Sequence, residues 1–310
     1  MSKVVEILVP CYNEAEGLPL FYAEVCRYLD ELTHYEFYFL FVDDGSTDGT
    51  MECIKKLSEC NSNVRWVSLS RNFGKEAAML AGFDYSQGDA VIIMDADLQD
   101  TPSLIPQLLH EWELGYEDVY AKRINRRGEK WLKKISAHLY YKVLQKVSDV
   151  EILVDVGDFR LLDKRCIAAL RKLREKHRYT KGLFCWIGFK KKAILYDRAP
   201  RIAGHTHWNY WQLIKLGVNG IVSFSTMPLH VSIWIGIAIS LGAFLFMIYI
   251  VISTLLYGNP VEGYPSMISI MLFVSGIQLI LLGVIGEYIG KLVDESKGRP
   301  VYLVGETNIE

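Results

Sequence analysis

Hydrophobic positions along this 310-residue chain fall into three regimes. In the first, short strand-forming runs alternate with stretches of helical spacing. Val4–Val9 is a strand pattern, followed by an amphipathic helix with Leu18, Phe21, Val25, Tyr28, Leu29 and Leu32 near its apolar face. Tyr35–Val42 is the next strand. A helix, the strand Val64–Leu69, an Ala-rich helix from Lys75 and a strand over Val91–Met94 come after it. Strands alternating with helices of this length predict a mostly parallel α/β sheet covered on both faces.

In the second regime, segments 130–146 and 208–216 mix apolar, aromatic and basic residues at helical spacing, as interfacial helices do. In the third, charge disappears: none occurs from Val231 to Val261, and none between Glu262 and Glu287. A hydrocarbon core takes ~20 apolar residues per helix, so Val231–Tyr257 and Pro265–Ile285 are predicted to be two transmembrane helices. The connection between them is rich in Gly, Asn and Pro and carries no Lys or Arg. Lys291, Lys297 and Arg299 follow the second span, and the positive-inside rule then places the bulk of the protein and both termini on the cytoplasmic side of the cell inner (plasma) membrane. No signal peptide is read ahead of the first strand, which fits that orientation.

Polar residues gather where the strands end. Asn13 and Glu14, Asp43 and Asp44, and Asp95 and Asp97 each follow a strand. Ligands of open α/β sheets bind outside the carboxyl ends of the strands. One such ending is ordinary, for a lone DxD also suits a polar loop before a helix, but three converging endings predict a site. Asp95 and Asp97 can turn their oxygens toward one point, where a hard cation, Mg2+ or Mn2+, would relieve their repulsion and Gln99 would add a neutral oxygen. Neither a GxGxxG nor a GxxxxGK[ST] run occurs. A nucleotide here would instead be held by carboxylates, by an aromatic such as Tyr12, and by a metal bridging its diphosphate to Asp95 and Asp97.

Charge and cysteine usage narrow the classes. With 34 basic against 36 acidic residues there is no case for a nucleic-acid partner. The six cysteines show no zinc or CxxC spacing and read as reduced packing thiols. His205 and His207 lack further ligands nearby and are not read as a metal site.

Four segments in order, Val9-Pro-Cys-Tyr-Asn-Glu14, Asp43-Asp-Gly-Ser-Thr-Asp-Gly-Thr50, Ser70-Arg-Asn-Phe-Gly-Lys-Glu76 and Asp95-Ala-Asp-Leu-Gln-Asp100, resemble the family 2 glycosyltransferases of GT-A fold. With the two apolar spans, the chain is most similar to the polyprenyl-phosphate glycosyltransferases, the bactoprenol glucosyltransferase and dolichol-phosphate mannosyltransferase group. The resemblance implies a Rossmann-like GT-A domain over residues 1–229, a two-helix hairpin over 230–290 and a cytoplasmic tail over 291–310. It implies nucleotide-sugar binding by Pro10, Tyr12, Asn13, Glu14, Asp43, Asp44, Lys75 and Asp95, and a metal on Asp95, Asp97 and Gln99. Arg123 and Arg127, with Arg160 and Arg201, would serve the acceptor or diphosphate, and Asp158 would be the catalytic carboxylate with Asp155 as its substitute. A structural Asp–Arg pair is the alternative for Asp158 and Arg160. The loop Arg201–Trp208 departs from relatives, which usually carry an acid and a lysine there, and the QxxRW signature of processive synthases is absent.

The implied reaction is metal-dependent, inverting transfer of one sugar, glucose from UDP-glucose, to undecaprenyl phosphate. GDP-mannose or another UDP-sugar is the alternative donor, and a non-catalytic membrane partner in glycosylation is the alternative class. A homo-oligomer is compatible with Gly236, Gly242 and Gly283 in the spans.

Overall fold

The computed structural model describes residues 2–124, 153, 156–176, 178–196, 227–257 and 263–309. Its centre is four parallel strands: β1 (Lys3–Cys11), β2 (Tyr35–Asp43), β3 (Val64–Leu69) and β4 (Ala90–Ile93). They are linked by α1 (Leu18–Leu29), α2 (Thr50–Cys60) and α3 (Lys75–Tyr85). A 3-10 turn and α4 (Ile105–Glu113) lead to β5 (Asp118–Arg123). Then come β6 (Val156–Asp163), α5 (Lys164–Lys172), α6 (Thr180–Trp186) and β7 (Lys191–Tyr196). The eight-stranded sheet has the order β7-β5-β6-β4-β1-β2-β3-β8, with β8 formed by Val304–Thr307.

Alternation along the strands sorts the core into two layers. Val5, Ile7 and Val9 of β1, with Phe39 and Phe41 of β2, face Leu18, Phe21 and Val25 of α1, Ile54 of α2 and Leu108 of α4. Leu8, Leu40 and Val42 point the other way, toward Ala78, Met79 and Phe83 of α3 and Phe184 of α6. Each fully buried Leu, Val or Phe contributes ~1.5–3 kcal/mol, so these layers fix the strand register. The small residues Ala77, Ala78, Ala81 and Gly82 let α3 lie close on β1, where a Cβ on Gly82 would stand 2.2 Å from Leu8 Cδ1.

The sheet is more mixed than the strand–helix alternation predicts. β6 runs antiparallel between β4 and β5, while β5 and β7 are parallel to each other. This reversal matters for the site. The register sets Ile93 opposite Arg160, and two residues further along each strand Asp95 comes level with Asp158.

Two helices follow the sheet, α7 (Met227–Tyr257) and α8 (Tyr264–Ser296), both long and apolar enough to cross a membrane. Trp234, Leu241, Leu255, Phe273, Leu279 and Leu282 are all exposed along them, the opposite of a helical hairpin packed inside a soluble core. Beyond residue 290, α8 continues to Ser296, and β8 pairs antiparallel with the outer edge of β3. Tyr302, Val304 and Ile309 pack against the α3 layer.

Candidate active site

Each strand of the parallel core delivers its polar residues to one edge. β1 and β2 end level, with Cys11 beside Asp43, so the loops that follow them meet. Asn13 adopts a left-handed φ of 55°, a conformation Asn tolerates better than most residues. Its Oδ1 accepts from Thr47 N at 2.9 Å, and its own N–H donates to Ser46 Oγ at 3.0 Å. Glu14 N donates to Thr50 Oγ1 at 2.8 Å, and Asp48 receives Ala15 N at 3.2 Å. The loop over 43–48 bends at Gly45, φ +66°, where a Cβ would lie 2.4 Å from the carbonyl carbon of Arg71. Only glycine permits that approach.

Asp43 and Asp44 are both buried and hold different partners. Asp43 receives Ser46 N at 3.2 Å and the Ser68 hydroxyl at 3.0 Å. Asp44 accepts from Phe73 N at 2.7 Å and Gly74 N at 2.8 Å, one bond to each oxygen. Its carboxylate therefore closes the loop before α3, next to Lys75. Burial pushes the Asp44 carboxyl up, although the two N–H donors work against the shift.

Lys75 opens α3 and lies between the two strands that meet antiparallel. Its Nζ is 2.6 Å from Asp95 Oδ1, 2.8 Å from Asp95 Oδ2 and 2.7 Å from Asp158 Oδ2. Burial opposes the ammonium, but Asp95 and Asp158 outweigh it and raise the lysine well above its ordinary range. At Asp158, burial works against ionisation, yet Lys75, Lys181 and Arg160 hold the carboxyl far below the usual carboxylate range. Asp158 is thus a fixed anion at neutral pH, suited to orienting a group rather than to removing a proton from it.

Asp97 and Leu98 face Asn13, Glu14 and Asp48 across a cleft of about 370 Å3 also lined by Gly17 and Leu20. Leu98 has a left-handed φ of 53°, a costly state for a leucine that sites tend to retain. Gln99 N donates to Asp97 Oδ1 at 3.1 Å, while the buried Gln99 Oε1 has no hydrogen-bond partner among the described residues. No group of three His, Cys, Asp or Glu side chains stands ready to hold a metal among the described residues. Asp100 accepts from the Tyr196 hydroxyl at 2.8 Å, and burial together with this carboxylate pushes the phenol up to about 12.

Arg160 requires a correction. It was expected to bind acceptor or diphosphate, but its side chain is only 1% exposed and pairs with Asp118, itself fully buried, at 3.2 Å. The guanidinium also donates to Gly157 O at 3.3 Å and lies 3.8 Å over the Phe184 ring. The physical reason is strand geometry: β5 places Asp118 inside the sheet layer, and an unpaired buried carboxylate there would be prohibitive. Arg123 is half-buried near Gly157, with its Nη2 about 3.5 Å from where a Cβ on that glycine would stand. Pro10 and the half-exposed Tyr12 lie at the end of β1. Arg127, Arg201, Asp155, the two interfacial segments and the His205–His207 loop fall outside the described residues.

Three contributors were not legible in sequence. Ser68 braces Asp43, Lys181 adds charge beside Asp158, and Thr180 donates its N–H to Glu76 Oε2 at 2.9 Å next to Lys75. No spacing signals them, because each lies far in sequence from the residue it serves. A second depression, about 440 Å3 between α4 and β7, lies among Pro106, His110 and Ile194 and contains none of these residues.

Residues 6–171 match the Glycosyl transferase family 2 model, and residues 227–292 match the GtrB C-terminal hairpin. A bactoprenol glucosyl transferase of Shigella phage SfV is 42% identical, covering 97% of both chains. A prophage bactoprenol glucosyl transferase homolog of Escherichia coli K12 is 41% identical over 97% of this chain and 98% of its own. An uncharacterized glycosyltransferase of Synechocystis is 43% identical over 99% of this chain and 96% of its own. The solved glucosyl-3-phosphoglycerate synthase from Mycobacterium tuberculosis, in complex with Mn2+, UDP-glucose and phosphoglyceric acid, aligns with a TM-score of 0.47 and 17% identity, covering 71% of this chain and 78% of that one. The family model takes in more than half of this chain and the relatives run along nearly all of it, so the protein belongs to glycosyl transferase family 2 and is a glycosyltransferase.

Proposed function

We propose that the protein transfers one glucose from UDP-glucose to a polyprenyl phosphate, undecaprenyl phosphate, at the cytoplasmic face of the inner membrane, with inversion at the anomeric carbon. The observation that carries the reading is the grouping of Asp95, Lys75 and Asp158 at the strand ends beside the cleft, in a chain that also bears two apolar helices. The similarity to bactoprenol glucosyl transferases supports the lipid acceptor and the sugar.

The oxygens at the strand ends suit Mg2+ or Mn2+: Asp95, Asp97 and Gln99 Oε1, which has no partner among the described residues, would hold the ion. Bound there, it would offset negative charge developing on the leaving diphosphate. Pro10, Tyr12, Asn13, Glu14 and Asp43 would hold the nucleoside along the β1 and β2 loops, while Asp44 would lie near the sugar and Lys75 would direct its charge toward the diphosphate. Arg123, Arg127 and Arg201 would receive phosphate by guanidinium recognition. An oxygen of the lipid phosphate attacks the anomeric carbon as the bond to the donor β-phosphate breaks, and the electron pair departs with UDP. The second pKa of a phosphate monoester is ~6, so the acceptor is already largely a dianion at neutral pH. Asp158 then orients it, and Asp155 would be the substitute if Asp158 proved dispensable.

The chain would fall into a cytoplasmic catalytic part over 1–229, a membrane hairpin over 230–290 and a cytoplasmic segment over 291–310. The test is transfer of label from a panel of radiolabelled UDP- and GDP-sugars into organic-extractable lipid, using membranes holding this protein, undecaprenyl phosphate and Mg2+ or Mn2+. Label from UDP-glucose alone, lost with EDTA and in Asp97→Ala, is expected. Label from another donor would correct the sugar. No lipid label from any donor, with folded protein and accessible acceptor, would sink the reaction.

A further inference from the structure

The helix that presents Lys75 is gripped at both ends by one loop. At its start, Glu76 Oε2 accepts from the Thr180 N–H at 2.9 Å and also from the Thr180 hydroxyl. At its other end, Asp84 receives Arg174 through both guanidinium nitrogens, at 2.6 and 2.9 Å. Arg174 and Thr180 bracket the connection between α5 and α6, and through these two residues it is tied to both ends of α3 as a strap. The buried Arg178 within it donates to Leu173 O and brings its charge near Glu76 and Glu175.

The strap is moored on its far side to the region after the apolar hairpin. Lys176 N donates to Glu295 Oε1 at 2.7 Å, and Lys176 Nζ to the Asp294 carbonyl at 3.0 Å, both at the end of α8. Tyr302, just beyond α8, donates to Asp84 Oδ2 at 2.6 Å. A continuous set of contacts therefore leads from the end of α8, through the strap, to the first turn of α3. Thr180 is fully buried, so the joint at Glu76 is shielded from water.

We propose that Glu76 and Thr180 are positioning residues: through them the strap, moored to the end of α8, holds Lys75 between Asp95 and Asp158. Glu76 touches no reacting group and acts by fixing the helix turn from which Lys75 reaches. The kinetic part of this inference rests on the glycosyl-transfer reading above. The placement of Lys75 does not.

The test uses the full chain in lipid nanodiscs and two readouts. One is the rate at which an acetylating N-hydroxysuccinimide ester modifies Lys75, read by mass spectrometry of the digested protein. The other is kcat and donor KM for label transfer to undecaprenyl phosphate. Thr180→Val, which removes the hydroxyl, is expected to speed Lys75 acetylation roughly tenfold, the scale of one lost bond to a charged group. A misplacement near 1 Å costs about 100-fold in rate, so kcat falls toward that limit while donor KM holds, and Thr180→Ser restores both. Because a buried substitution can disturb folding, Glu295→Ala, at the end of α8, supplies a second arm with the same direction and a two- to tenfold effect. Folded variants whose Lys75 reactivity and kcat match wild type would overturn the proposal, as would a loss confined to thermal stability. Strap-dependent acetylation in a protein that transfers no sugar would sink the reaction and leave the strap standing.

Discussion

Replacing Arg160 separates two roles that a polar strand residue can have. The guanidinium is buried against Asp118, Gly157 O and the Phe184 ring. In Arg160→Met the methionine fills most of the volume, but Asp118 keeps a carboxylate with no exposure. Removing one partner of a buried pair costs ~3–5 kcal/mol, a large share of the ~5–15 kcal/mol that holds a domain together. At ~2–4 °C per kcal/mol for a domain of this size, Tm should fall by about 10 °C. Burial pushes the Asp118 carboxyl up, with Arg160 working against it. Its folded value lies above its unfolded one, so the fold binds the extra proton and loses stability as pH rises from ~3.9 through the folded value. Removing both charges should therefore help: Asp118→Leu with Arg160→Met is expected to recover most of the lost Tm. Melts of the detergent-solubilised full chain at neutral pH, with acceptor KM measured on the folded protein, check this. An unchanged Tm in Arg160→Met together with a raised acceptor KM would refute the structural role and return Arg160 to the acceptor.

Two further outcomes follow from the site. Asp158 is held ionised chiefly against burial by Lys75, so its contribution to stability is present above the unfolded value of ~3.9 and is lost as pH falls through the depressed folded value. The pH profile of kcat/KM should accordingly show an acid limb near ~6, from the acceptor phosphate; a limb that moves in Asp158→Glu would show that this carboxyl titrates in the working range. Gly45→Ala places a methyl on a left-handed residue 2.4 Å from the Arg71 carbonyl carbon, which should cost ~1–3 kcal/mol and weaken UDP binding about tenfold or more. Unchanged calorimetric affinity would show that the 43–48 loop does not hold the nucleotide.

Much of the fold is legible because the parallel core announces itself by period. The runs at Val4–Val9, Tyr35–Val42 and Val64–Leu69 are strands, and the acids after them share one edge. What period cannot convey is direction and partnership. β6 looks like any strand in sequence, yet its antiparallel entry is what brings Asp158 to Asp95. Arg160 looks available because Asp118 is 42 residues away and burial is invisible in one dimension. Asp44 also serves the backbone, through Phe73 and Gly74 some thirty residues on, bonds that no spacing announces. The pairing of Glu76 with Thr180 spans 104 residues, and β8 is only four residues long with no apolar alternation.

That last strand has a consequence for biogenesis. β8 joins β3 only after α7 and α8 have been made, so the edge of the sheet waits for the hairpin. If the hairpin is threaded through a bilayer, the two helices must cross in opposite directions, because residues before and after them belong to one sheet. A nascent chain that left α8 unpaired, or crossed once, would strand Val304–Thr307 on the far side from β3. In that arrangement, closing the sheet through β8 would act as a built-in check on insertion.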